Sequence, residues 1–273
     1  MPKEWNQLWV YLYREVESLV SEILAYKGMI KQLAKRDMKL RYERSALGFF
    51  WSLLNPLVMI VIYTTFFSLV IRIGIERYAV FLVSALLPWN FLVKSILSVA
   101  PTPYQNGYLL NRVAFPAESL VFSAMLSAFA DFCLEMCIFT VVLAVFRNPL
   151  FPGLVAVPVV MLCHLLFSTG VALAFSVAYV FYRDTQYLAG ILTTAWLYMS
   201  PVFYPLWKVP ADLQWLYKLN PMVHILGSFR EPLYTGHFPH LLSLTIVVLV
   251  SVTTFYLGWS VFNKYKKDFA ELL

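Results

Sequence analysis

Two carboxylates, Asp131 and Glu135, lie four residues apart in a long apolar run, so one helical face carries both. Ionisable groups in such a setting are costly and mark function by default. Three chemistries fit the pair: a proton relay, an acid/base couple, or polar anchoring against neighbouring helices or a polar lumen. Lys94 is a third charge in an apolar run, placed either to snorkel to the surface or to meet an anionic head group. His164 sits in an apolar stretch, and His224, His237 and His240 fall in a polar region without metal-ligand spacing. Cys133, Cys137 and Cys163 all lie in apolar stretches. Their odd number gives no disulfide framework, so they read as packing residues.

The sequence contains no GxxxxGK[ST] phosphate loop, no HExxH and no GxSxG. No residue is therefore assigned to catalysis, to a metal or to a cofactor. Any work against a gradient must draw its energy from another subunit or from an ion.

The elements that position these groups follow from composition. The chain has 273 residues, 60% of them hydrophobic, 17% aromatic and only 13% charged, with a mean hydropathy of +0.70. A soluble domain carries about 25% charged residues, so this chain is read as an all-α integral membrane protein. A span needs about 20 apolar residues. Six segments qualify: Leu47–Ile71, Ala79–Ala100, Leu120–Phe146, Leu154–Phe181, Tyr187–Leu206 and Leu241–Phe262. Six spans put both termini on one side. That side then collects fourteen Lys and Arg against six opposite, with Lys94 inside a span. The positive-inside rule makes it the cytoplasm. The start of the chain lacks the pattern of a secretory signal.

Residues 1–46 form a separate cytoplasmic unit, followed by a membrane unit over 47–265 and a tail over 266–273. Trp5, Leu8, Trp9, Leu12, Val16, Leu19, Val20, Ile23 and Leu24 make one apolar stripe, and Lys27, Lys31, Lys35 and Lys39 a basic one. Such a helix lies in the membrane interface. It serves as an anchor, as a docking platform for a cytoplasmic partner, or as both. Nucleic acid is excluded because the basic stripe abuts a span. Pro201, Pro205 and Pro210 cannot continue a helix, so short re-entrant or interfacial helices are expected between spans five and six. Trp207, Trp215 and Tyr217 suit that interface. Asn220-Pro221 should cap and start one of these helices, and Gly236 should end it.

Several motifs carry a resemblance. Ser45-Ala46-Leu47-Gly48, Trp51 and Leu54-Asn55-Pro56 resemble the opening of ABC-2 type permeases. The segment Asn111-Arg112-Val113-Ala114-Phe115-Pro116-Ala117-Glu118 resembles their first cytoplasmic loop, and Tyr182-Arg183-Asp184 their second. Ser200–Pro205, Leu219–Met222 and Phe229-Arg230 are similar to their outer gate. The likeness is strongest to the polysaccharide, O-antigen and teichoic acid exporters of the bacterial cytoplasmic membrane. It implies a second copy of this chain, two copies of a separate ATPase that holds ATP and Mg, and a glycan carried on undecaprenyl diphosphate.

On that resemblance, Tyr108, Asn111, Arg112, Phe115, Arg183, Asp184, Lys35 and Lys39 are the candidates for contact with the ATPase. Trp89, Phe91, Trp196, Tyr198, Phe203 and Tyr204 are candidates for stacking on sugar rings along the path. Arg41, Arg44 and Lys94 are the cations for the lipid diphosphate, and Pro201, Pro205, Trp207, Trp215, Asn220 and Pro221 form the outer gate. The main rival within the superfamily is an exporter of drugs or small lipids. A membrane-embedded enzyme built on Asp131 and Glu135 would need more convergent polar residues than the spans supply, and an ion channel would show rings of small or charged residues.

Overall fold

The computed structural model describes residues 24–39, 74–108, 116–145 and 153–272, together with Ser21 and scattered positions between 54 and 66. The described residues are mostly helical and include no strand. Helix α1 covers residues 24–39, α2 Tyr78–Lys94, α3 Glu118–Val145 and α4 Val157–Phe181. Helix α5 covers Thr185–Tyr198, α6 Ala211–Leu219, α7 Pro221–Arg230 and α8 Leu241–Tyr265. Four stretches are long and apolar enough to cross a membrane: Tyr78–Gln105, Glu118–Ala144, Gly153–Phe181 and Leu241–Tyr265. They match expected spans two, three, four and six. The first expected span, Leu47–Ile71, lies largely outside the described residues.

The fifth expected span, Tyr187–Leu206, is helical over only part of its length. Helix α5 has 14 residues and ends at Tyr198, not at Leu206. At about 1.5 Å per residue it is some 21 Å long, short of a bilayer core. Pro201 and Pro205 account for the early stop, since neither can donate to a helical ladder. The chain still runs between the two ends of the bundle. Gln186 at its start donates to the Leu97 carbonyl at the foot of α2, over 2.9 Å. Phe203 beyond its end accepts from the Tyr78 hydroxyl at the head of α2, over 3.0 Å. The non-helical stretch from Ser200 to Phe203 is buried against protein, as irregular backbone at that depth requires.

Helix α2 is the central element, buried along most of its length. Pro88 removes one backbone donor within it, and His164 of α4 donates from Nε2 to the Pro88 carbonyl over 2.9 Å. The His164 ring sits among those of Phe91, Phe132, Phe167 and Phe229, with centroids 5.3 to 6.4 Å away. Just past Lys94 the helix widens into a π turn, Ser95–Val99. Such turns concentrate at functional positions.

Helices α4 and α8 cross on two glycines. A Cβ built on Gly258 would stand 2.0 Å from the Gly170 carbonyl oxygen, and one on Gly170 would stand 2.4 Å from the Thr254 carbonyl oxygen. Small residues that let backbones touch are the usual means of helix association in lipid.

Candidate functional site

Two ends of the bundle flank a polar centre. The basic end carries α1, whose Ile30 and Ala34 are buried while Lys27, Lys31, Lys35 and Lys39 are exposed. Arg36 pairs with Asp37 at 2.8 Å and reaches Asn106 at 3.5 Å, so α1 docks beside the end of α2. At the same end the Arg183 guanidinium lies 4.6 Å from the centroid of Tyr104, a cation–π contact that keeps the charge at the surface. Asp184 and Tyr108 are exposed. The structure thus gathers Lys35, Lys39, Tyr108, Arg183 and Asp184 at one end. Asn111, Arg112 and Phe115 lie outside the described residues, as do Arg41 and Arg44.

At the centre, Lys94 of α2 is ion-paired with Asp131 of α3, whose carboxylate is only 2% exposed. Glu135 follows one turn later on α3, and both carboxylates border a small cavity of about 40 Å³ lined also by Asn90, Phe91, Ala128 and Phe132. The expectation of one shared face is met, and the cavity has room for water. The polar track continues below Asp131. Ser127, Ser123 and Ser119 recur every four residues along α3 and are all buried. The sequence reading missed this row, although the same four-residue spacing singled out Asp131 and Glu135.

At the opposite end, Asn220 joins α5 to α7. Its Oδ1 accepts from the Met222 amide at 3.0 Å, capping α7 as expected, and from Trp196 Nε1 at 2.9 Å. Its Nδ2 donates to the Met199 carbonyl at 3.2 Å and to Ser200 Oγ at 3.0 Å. The Tyr204 hydroxyl donates to the Tyr198 carbonyl at 2.6 Å and meets the Tyr217 hydroxyl at 2.9 Å. Burial and the bond to Tyr217 push the Tyr204 phenol above its ordinary range. Gly236, in a left-handed conformation at φ 77°, ends the segment that continues α7, and the Gly153 amide donates to its carbonyl at 3.2 Å. Pro201 and Pro205 are buried, and Pro221 is the first residue of α7. Trp207 and Trp215 are exposed at this end.

Arg230 closes this end. Its guanidinium stands 3.7 Å from the centroid of Phe81, and Nη2 donates to the Val202 carbonyl over 3.1 Å. Burial lowers its pKa to about 9, so the group stays charged at neutral pH.

The aromatic candidates divide by burial. Tyr198 lies open at 64% exposure, and Trp196 and Tyr204 are half-buried. Trp89, Phe91 and Phe203 are packed into the core of the single chain. Trp89 meets Trp196 edge-on with centroids 5.9 Å apart, so the buried rings back the open ones. The face of α5 bearing Tyr187, Leu188, Ile191 and Leu192 is also exposed. Among the described residues no group of His, Cys, Asp and Glu is arranged to hold a metal ion.

Comparison with known proteins places this architecture. Residues 29–234 match the family model described as ABC-2 type transporter. The chain is 30% identical over 255 residues to the O-antigen export system permease protein RfbA of Myxococcus xanthus, covering 93% of this chain and 98% of that one. It is 28% identical to a Klebsiella pneumoniae protein of the same name, over 88% of this chain and 93% of the relative. It is 25% identical to the polysialic acid transport protein KpsM of Escherichia coli, over 87% and 93%.

Proposed function

Because the chain belongs to the ABC-2 type transporter family, we propose that it is the membrane permease of a polysaccharide exporter in the bacterial cytoplasmic membrane, acting on a glycan carried by undecaprenyl diphosphate. ATP is hydrolysed on a separate subunit. The observation that carries the reading is near-full-length similarity to proteins named for O-antigen export and for polysialic acid transport.

In this reading both termini face the cytoplasm and two copies of the chain bind two ATPase subunits. Residues 108–115, α1 and the Arg183-Asp184 turn form the contact with the ATPase. The exposed face of α5, with Tyr187, Ile191 and Tyr198, looks across the path toward the second copy. A 14-residue helix with large rings on an open face is poorly suited to lipid on all sides. It suits a partner or a glycan, since aromatic faces stack on the apolar faces of pyranose rings and leave hydroxyls to water. Arg41, Arg44 and Lys94 supply positive charge toward the diphosphate, and in the single chain Lys94 is held by Asp131. The segment from Pro201 to Pro221, with Trp207 and Trp215, forms the outer gate.

The test is reconstitution. The chain is co-expressed with a candidate ABC ATPase subunit and placed in nanodiscs, and ATP hydrolysis is followed as undecaprenyl-diphosphate-linked glycan is added. The expected result is a stable complex whose hydrolysis rises with the glycan. A chain that recruits no ATPase, or a complex that responds to amphipathic drugs and not to the glycan, overturns the proposal.

A further inference from the structure

A second ion pair lies at the basic end, apart from the polar centre. Glu118 begins α3 immediately after the 108–115 segment, and its carboxylate is 3% exposed. Oε1 accepts from Lys266 Nζ over 2.8 Å, across 148 residues of sequence. Lys266 is the C-terminal capping residue of α8 and is 23% exposed. Its ammonium also lies 5.6 Å from the centroid of Trp259, and that ring stacks on Phe122 of α3 at 6.2 Å.

Each charge sits where its helix favours it. An anion at the start of α3 meets the positive end of that helix dipole, and a cation at the end of α8 meets a negative one. The Glu118 carboxylate is buried, so pulling the pair apart would leave it uncompensated. Glu118 Oε2 already has no hydrogen-bond partner among the described residues. The joint is therefore one direct bond between the start of α3 and the end of α8. Beyond it, α8 is fixed to α4 by the crossing of Gly258 on Gly170.

We propose that Glu118 and Lys266 are positioning residues that pass displacement of the ATPase-contacting loop to α8 and α4, so that the stroke moves these helices together and is not absorbed by α3 alone. This rests on the reading of residues 108–115 as the loop that meets the ATPase. A push at residue 116 reaches Glu118 within two residues of backbone. Without the pair, α3 would be free to move past the end of α8, and hydrolysis would proceed without moving the cargo path.

The experiment uses the full permease–ATPase complex in proteoliposomes with undecaprenyl-diphosphate-linked glycan. It measures complex yield, basal ATP hydrolysis, and glycan translocated per ATP consumed, for the wild type and for Glu118→Gln, Lys266→Met and Lys266→Arg. Glu118→Gln, which removes only the charge facing the partly exposed Lys266 ammonium, is expected to keep yield and basal hydrolysis while translocation per ATP falls by about fivefold or more; Lys266→Met, which leaves the buried Glu118 carboxylate unpaired, is expected to lower yield as well, with the same fall in translocation per ATP in the complexes recovered. Lys266→Arg, which preserves the pair, is expected to stay near the wild type. An unchanged ratio in both disrupting variants overturns the inference. So does a parallel loss of yield, hydrolysis and transport, which would make the pair a structural staple only. Failure of the wild-type chain to bind an ATPase is a separate result: it refutes the permease reading and removes the basis of this one.

Discussion

The crossing of α4 and α8 makes the sharpest claim on stability. A Cβ added at Gly258 would lie 2.0 Å from the Gly170 oxygen and 2.6 Å from its carbonyl carbon, where ordinary contact begins at 3.4 Å. The shortfall is about 1.4 Å, and both obstructing atoms are backbone, so no rotamer change relieves it. The helices must separate, and the gap then runs along their whole interface, weakening many small dispersion contacts at once. Overpacking of a well-filled interior costs about 1–3 kcal/mol, and backbone obstruction puts Gly258→Ala near the top of that range. For a chain of this size about 3 kcal/mol corresponds to a fall in Tm of roughly 6–12 °C. The assay is thermal unfolding in detergent, read by size-exclusion after heating. Gly227→Ala is the control, because a Cβ there meets nothing within 4 Å, and in mid-helix it should be neutral or slightly stabilising. A Gly258→Ala variant that melts within 2 °C of the control refutes the close crossing.

Three further outcomes follow from the polar contacts and the loop. Lys94→Met removes the ammonium that faces the buried Asp131 carboxylate and should cost about 3 kcal/mol; adding Asp131→Leu should recover most of the loss, and a double variant no better than the single one would show that the pair is not the cause. Asn220→Ala removes the α7 cap and the bonds to Trp196, Met199 and Ser200; the cap alone contributes about 1 kcal/mol, and loss of the Trp196 bond should shift tryptophan fluorescence, whereas an unaltered spectrum and Tm would discount the joint. Arg112→Ala and Phe115→Ala should each reduce export and glycan-stimulated hydrolysis with membrane insertion intact, and full activity in both would remove residues 108–115 from the ATPase contact.

What the sequence discloses depends on whether a signal is local. Four spans are legible because length and apolarity are properties of contiguous residues. The Asn220 cap and the Gly236 stop are legible for the same reason: Asn-Pro and a glycine after a helical run are local chemistry. The end of α5 is legible in the prolines that follow it, whereas hydropathy alone runs smoothly through Tyr198 to Leu206. Asp131 and Glu135 stood out by type, but the identity of Lys94 as the partner required the α2–α3 contact. Lys266 counted in the sequence only as one basic residue of a tail. Its partner lies 148 positions away, and nothing in its neighbours points there. Trp89, Phe91 and Phe203 show the same limit in reverse, since an aromatic inside a span reads alike whether it packs in a core or faces a path.

Helix α3 shows why those non-local pairs exist. It is apolar on nearly every side over 28 residues. In water such a helix would be oriented by burying one face, but lipid is as apolar as the protein core and offers no such preference. Rotation and depth must then be set by the few groups lipid rejects. Glu118, Asp131 and Glu135 are those groups, and two of them are pinned: Glu118 by Lys266 on α8 and Asp131 by Lys94 on α2. These two are 13 residues apart, about 20 Å along the axis, and the buried serines 119, 123 and 127 lead from one to the other. One pin would fix depth and leave the helix free to tilt about it. Two pins to different helices fix depth, rotation and tilt together. They also leave Leu126, Cys137, Val141 and Val142 facing outward, which is where a membrane helix presents apolar side chains to lipid. The charges that look most costly in the sequence are therefore the ones that give the bundle its register.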